Sequence, residues 1–172
     1  MTMLGVRYFK DSKASAATEM ALITPLLVTL LFGGFEAGYY FWNAHKVVKA
    51  VRDGARYAGR QQFAAYNCGG SGTVNEPWAT NIKNVTRTGN TAGSGTPMIP
   101  NWTNSEVALV VTCSATDGAG NSITTGIFNK QTNVIRVRVA AQTSYRPLFS
   151  TLGFDTGGIG LRATSQAVVM GI

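Results

Sequence analysis

The sequence has few of the residues that build catalytic or metal-binding sites. Its 172 residues include one histidine and two cysteines. His45 has no cysteine or aspartate close to it in the chain, and Cys68 and Cys113 show neither a CxxC motif nor a metal-binding spacing. The glycine-rich runs lack the strand and helix context of a phosphate-binding loop. We therefore expect a protein that is not an enzyme and that has no cofactor or metal.

Acidic residues are also scarce, and the formal net charge is +7. The basic residues are spread over both sides of a long apolar segment, without the interleaved aromatic residues of a base-stacking surface. This pattern does not indicate a nucleic-acid partner. With 45% hydrophobic residues, the chain can supply one membrane segment and one small domain.

One uncharged stretch dominates what is present. No charged residue occurs from Met20 to Phe35. Because a helix rises about 1.5 Å per residue, roughly 20 residues cross the hydrocarbon core of a bilayer. The aromatic residues that follow, from Tyr39 to Trp42, are typical of an interfacial belt. We predict one long helix over 15–65 that spans the membrane over about 20–42 and interacts there with lipid.

Three short motifs in this region carry a family resemblance. A small-residue run leads to Glu19 and an apolar run with Pro25, a second glutamate lies in Gly34-Phe-Glu36-Ala-Gly38, and a GARYA segment spans 54–58. Together they resemble the TadE-like family, the pseudopilins or minor pilins of the tight-adherence (Tad, or Flp) pilus. The resemblance implies a pilin-like fold and a role in assembling or priming such a pilus. The alternative is a membrane-anchored extracytoplasmic adhesin or binding module that never enters a filament.

The resemblance also implies a processing site and a set of assembly residues. A prepilin peptidase would cut between Ala14 and Ser15, which makes 1–14 the leader and places Glu19 fifth in the mature chain. Ala14 stands where the family usually has glycine. Glu19, Pro25 and Glu36 would then serve assembly or recognition, although either glutamate could instead reach an interface without a specific role. The implied partners are the major pilin, other pseudopilins, the inner-membrane assembly platform and the peptidase.

Charge and cysteine usage predict the orientation. Arg7, Lys10 and Lys13 favour a cytoplasmic N-terminus. Cys68 and Cys113 are expected to form a disulfide, which persists outside the cytosol, the alternative being two unrelated thiols. We expect a single-pass protein of a bacterial inner membrane, with its C-terminal domain periplasmic or extracellular.

Residues 66–172 are expected to form an α+β head domain. The apolar stripe of Val47, Val51, Ala55 and Ala58 should pack on this head, while a basic stripe (Lys49, Arg52, Arg56 and Arg60) faces solvent or a partner. A short helix is predicted over 76–85 with Asn75 as its N-cap. Strands over 107–114, 134–143 and 159–170 predict an antiparallel meander. The Asp117–Ser122 segment predicts a turn, because it has too few oxygen ligands for calcium.

Overall fold

The protein has the α+β layout of a pilin: one long N-terminal helix followed by a small antiparallel head. The computed structural model describes residues 12–117, 119–150 and 158–171. Most of the predicted leader, residue 118 of the predicted turn and residues 151–157 lie outside the described residues. The elements are α1 (Ser12–Gly59), β1 (Tyr66–Asn67), β2 (Thr73–Val74), α2 (Trp78–Thr88), β3 (Val107–Ser114), β4 (Val134–Ser144) and β5 (Gly160–Val168).

Residues 16–31 of α1 are all exposed, and contact with the head begins at Phe32. Its large apolar side chains are exposed, for example Leu22 at 77% and Leu30 at 64%. The helix is long and apolar enough to cross a membrane. It continues through Pro25, and the Thr29 hydroxyl donates a hydrogen bond to the Pro25 carbonyl at 2.8 Å. Such side-chain bonds satisfy polar groups that lipid cannot satisfy.

The C-terminal half of α1 is instead the centre of the head's core. The predicted apolar stripe is confirmed, because Val47, Val51, Ala55 and Ala58 are all buried. The basic side chains Lys49, Arg52, Arg56 and Arg60 are exposed, as their separate stripe predicts. The helix therefore has two environments: residues 16–31 are exposed, and its C-terminal half packs on the sheet and on α2.

The sheet is the predicted three-stranded antiparallel meander, with order β3-β4-β5. Val111 lies opposite Val137, and Leu109 lies opposite Val139. Alternate residues of β4 face inward because successive strand side chains point to opposite sides of a sheet. Val137 and Val139 are fully buried against α1, whereas Arg138 and Gln142 face outward.

Two glycines allow close approach to α1. A Cβ atom on Gly54 would lie 2.0 Å from Thr86 Oγ1, and one on Gly59 would lie 3.0 Å from the Val168 carbonyl. Thr86 belongs to α2 and Val168 to β5, so these glycines set how closely both elements pack on the helix. The glycine of the GARYA motif is therefore explained by packing inside one subunit.

The predicted ends of two helices were wrong. α1 ends at Gly59 rather than near residue 65, and a 3-10 turn (Phe63–Ala65) follows. Helix α2 begins at Trp78, and Asn75 is not its N-cap. The Asn75 side chain donates instead to the Ala64 carbonyl at 3.0 Å, and the Glu76 carboxylate accepts from Thr80 N at 3.1 Å. An acidic side chain at this helix end satisfies an otherwise unpaired N–H.

The glycine-rich segment after α1 is held by a hairpin and a disulfide. β1 pairs with β2, a short ladder that the composition of this segment did not predict. The predicted Cys68–Cys113 bond is confirmed, with Cα atoms 5.8 Å apart. It joins the β1–β2 connection to β3. Further along, the Asp117 carboxylate accepts from Ala119 N and Asn121 N, so this turn uses its acidic group internally.

Candidate assembly site

Glu36 connects the apolar half of α1 to the head. Its carboxylate accepts a short hydrogen bond from the Tyr145 hydroxyl. It also accepts from the backbone N–H of Leu148, at 3.0 Å to Oε2, and from that of Phe149 at 3.3 Å. Charged acceptors make stronger hydrogen bonds than neutral ones. The carboxylate therefore holds the chain that leaves β4 against the helix.

Aromatic side chains surround this link on the helix and on the head. Phe149 packs edge-on against Phe32 with ring centroids 4.9 Å apart, and Tyr145 packs edge-on against Tyr40 at 5.1 Å. Edge-to-face pairs at such distances are favourable beyond their buried area. Beside them lies an apolar cavity of about 280 Å³, bordered by Phe32, Glu36 and Phe149.

The environment of Tyr145 keeps its hydroxyl protonated. Burial raises the pKa of Tyr145, and the hydrogen bond and negative charge of Glu36 raise it further. A phenol with a raised pKa stays a donor at every physiological pH. The contact therefore joins a protonated phenol to an acceptor throughout that range.

Glu19 lies at the other end of the apolar segment and has a different environment. It is exposed on α1, and none of the side chains that the structure describes forms an ion pair with it. At 1.5 Å per residue, Glu19 and Glu36 are about 25 Å apart along the helix axis, close to the thickness of a hydrocarbon core. The structure therefore does not bring the two predicted assembly glutamates together. It places one at each end of the apolar segment.

The remaining predicted site residues lie along the same helix. The backbone of Ala14 and Ser15 is helical, and Pro25 lies within the exposed apolar segment. Gly34 and Gly38 have the four-residue spacing of a small-residue packing pair, and a Cβ built on either meets no described atom within 4 Å outside its own helix backbone. This part of α1 therefore offers an uncovered surface where another helix could approach closely.

Sequence reasoning missed the three head residues that contact Glu36, which are Tyr145, Leu148 and Phe149. A partial signal was available, because the inward alternation of β4 continues through Ala141 and Thr143 to Tyr145. Alternation identifies the face of the sheet. It does not tell which turn of a distant helix that face meets, so the partner of Glu36 needed the tertiary structure.

The comparisons with known proteins agree with the N-terminal motifs. Residues 14–56 match the family model described as TadE-like protein. The search of curated proteins and the search of solved structures each found no match. The matched range contains Glu19, Pro25 and Glu36 and ends within the part of α1 that packs on the head. The match supports a protein associated with a Tad pilus, and residues 14–56 of this chain are a TadE-like segment.

Proposed function

We propose that the protein is a minor pilin, or pseudopilin, that takes part in assembling or priming a Tad pilus. The single observation that carries this proposal is the contrast between the two glutamates of the TadE-like segment. Glu36 is hydrogen-bonded within its own subunit, whereas Glu19 is exposed on an apolar helix. A carboxylate at the edge of lipid is costly unless it finds a partner. Glu19 therefore favours docking onto another subunit.

The partner group that suits Glu19 is an amine. We infer that a prepilin peptidase cleaves between Ala14 and Ser15, which creates a free amine about one helical turn before Glu19. The bond lies in helical backbone, so the cleavage requires this turn to unwind locally. A neighbouring subunit's amine and Glu19 attract strongly where water is excluded. Such a pair fixes the axial position of one subunit against the next.

The rest of the chain supports the same arrangement. The apolar half of α1 anchors the protein in the inner membrane as a single pass, with the N-terminus cytoplasmic and the disulfide-bonded head outside. Gly34 and Gly38 leave room for the helix of a major pilin or another pseudopilin. The assembly platform in the inner membrane is the remaining partner. The family is one of structural assembly proteins, and we assign the chain no catalytic role.

The test is the incorporation of Glu19→Gln into pili, compared with the wild-type protein at equal expression. We expect pilus incorporation and partner recovery to fall by more than about tenfold, because loss of one charged partner in a low-dielectric contact costs a few kcal/mol. Glu36→Gln is the matched control. It also removes one carboxylate from one end of the span, but it keeps an oxygen acceptor for the head.

Three outcomes distinguish a specific partner for Glu19 from a non-specific effect of charge and from no effect. Loss for Glu19→Gln with little loss for Glu36→Gln supports the proposal. Equal loss for both variants would mean that the charge at either end acts without a specific partner. Normal incorporation of Glu19→Gln would contradict the proposal.

A second function, that of an anchored adhesin or binding module outside any filament, has one observation in its favour. The outer face of the sheet has a shallow depression of about 1060 Å³, bordered by Glu106, Ala140 and Arg162. Mixed charges around small side chains suit a polar ligand. Recovery of the protein from membranes but never from sheared pili would favour this function.

A further inference from the structure

The loop that follows β4 reaches down the apolar half of α1. We call residues 146–149 (Arg146, Pro147, Leu148 and Phe149) the tip loop. Phe149 contacts Phe32, which lies about one helical turn further into the apolar segment than Glu36. The head therefore overlaps the upper part of the predicted membrane span. A soluble head held away from the bilayer would end above the interfacial aromatic residues.

The tip loop has the chemistry of a membrane-inserting segment. Leu148 is 50% exposed, and Ile159, which borders the same apolar cavity, is 46% exposed. Arg146 lies two residues before Leu148 and is also exposed. In a leaflet, acyl chains lie deeper than the phosphate groups. Leu148 and Ile159 suit the acyl chains, and the cationic Arg146 suits the phosphates.

Two backbone N–H groups of the tip loop already have acceptors within the protein. An unpaired N–H costs several kcal/mol in hydrocarbon. Pro147 has no N–H, and the N–H groups of Leu148 and Phe149 both donate to the Glu36 carboxylate. Glu36 therefore pairs the two N–H groups that follow Pro147, and these N–H groups in turn are donors that Glu36 needs near lipid. Neither would be stable at this depth alone.

From these contacts we infer that the tip loop inserts into the outer leaflet of the inner membrane beside α1. Leu148 and Phe149 lie among acyl chains, and Arg146 lies at the level of the phosphates. The occupant is lipid because Phe149 packs on Phe32 and so joins the loop to the exposed apolar surface of α1. The inserted loop is a second membrane contact that fixes the tilt of the head, and it must leave the bilayer whenever the subunit is extracted into a filament. This inference rests on the membrane anchoring proposed above.

The experiment measures depth with nitroxide labels on the full chain in phosphatidylcholine–phosphatidylglycerol vesicles, at a low protein-to-lipid ratio. Leu148→Cys reports the tip loop. Ile127→Cys is the matched control, an aliphatic residue that is 67% exposed in the connection before β4, at the opposite end of that strand. Leu26→Cys, at a position that is 61% exposed in the apolar segment, reports the anchor. Labelling is done without reductant, so that the disulfide stays intact.

We expect the labels at positions 148 and 26 to collide mainly with oxygen, which is concentrated in the bilayer. The label at position 127 should collide mainly with a water-soluble nickel complex. The label itself is apolar and the neighbouring Phe149 remains, and both favour the hydrocarbon, so the label at position 148 should lose most of its nickel collisions. Nickel access at 148 equal to that at 127, with 26 protected, overturns the inference and leaves the anchor intact. Nickel access at 26 shows that the anchoring itself is wrong. Dipolar broadening at 148 would mean that a second copy covers the loop, which also overturns it.

A second measurement uses the unmodified chain, in case a labelled variant misfolds. Vesicles that contain a phosphatidylcholine with a photoactivatable acyl chain should crosslink to a peptide that includes Leu148 and Phe149. A peptide that includes Ile127 should carry no crosslink. Equal crosslinking of both peptides, or none at the tip loop beside normal crosslinking of the Met20–Phe35 segment, would contradict insertion.

Discussion

The two halves of α1 both contain glycines, but the glycines of the two halves have opposite surroundings. Gly33, Gly34 and Gly38 have open space where a side chain would be, whereas Gly54 and Gly59 are in contact with α2 and β5. The first group lies in the apolar segment and the second among charged residues such as Asp53 and Arg56, but this difference does not tell which neighbour each glycine has. What differs is whether the same subunit provides the neighbour. A glycine in the first half is open to another chain, and a glycine in the second half shapes the head.

The two glutamates repeat this contrast. Glu36 has its hydrogen-bond donors inside the subunit, and Glu19 has none among the described side chains. The boundary between the exposed part of α1 and the part that contacts the head therefore lies between Phe32 and Glu36. If this division is correct, mutations in the two halves of α1 should act independently.

The largest effect is expected from loss of the disulfide. Cys68 and Cys113 close a loop with a sequence separation of 45. The chain-entropy model assigns about 4 kcal/mol to a loop of this size, so Cys113→Ser should lower the free energy of unfolding of the head by that amount. Membrane insertion should not change, because the bond lies wholly in the head. The measurements are urea unfolding in detergent micelles and carbonate extraction of membranes.

A double variant controls for side reactions of the remaining thiol. The Cys68→Ser, Cys113→Ser protein should lose no more stability than either single variant, since the same bond is removed once. A single variant that is far less stable than the double variant would point to a reactive thiol. Loss of membrane insertion in any of them would show that the two halves are coupled.

A smaller loss is expected when a side chain is added at Gly54. Gly54→Val places a methyl-bearing carbon where Thr86 Oγ1 lies, and overpacking of this kind costs about 3 kcal/mol. Gly34→Val is the matched control in the same helix, with open space around it. It should leave the thermal unfolding of the head unchanged and affect only the association with other helices. Equal destabilisation by both variants would contradict the division of α1.

The smallest of the three effects concerns the hydrogen bond between Tyr145 and Glu36, which joins the head to the apolar part of α1. Tyr145→Phe removes the hydroxyl that donates to Glu36 and keeps the ring contact with Tyr40. A hydrogen bond to a charged group contributes about 2 kcal/mol, so the head should lose that much stability. The measurement is thermal unfolding at neutral pH, with Tyr57→Phe as a tyrosine control. In a Glu36→Ala background the loss should vanish, and a loss that persists there would place the partner of Tyr145 elsewhere.

Local patterns predicted most elements of the fold. Each of these elements shows its pattern within its own segment. The pattern is an apolar run in α1, a β-branched run in β3 and inward alternation in β4. The ends of α2 were predicted less well, because Asn75 bonds to Ala64 across a turn rather than to its own helix. Short-range capping rules do not include such a competing partner. The β1–β2 hairpin was missed because glycine-rich composition indicates a loop and hides a two-residue ladder.

The sequence by itself determined that the chain has one long apolar helix, a TadE-like N-terminal segment and an α+β head with a cysteine pair. These features depend on residues that are close in the chain or on hydrophobic periodicity, which acts locally. Only the tertiary structure decided that Glu36 binds Tyr145 and the tip loop while Glu19 stays exposed. Contacts between residues so distant in sequence depend on how the sheet is placed on the helix, and that placement follows from the packing of the whole core around Gly54 and Gly59.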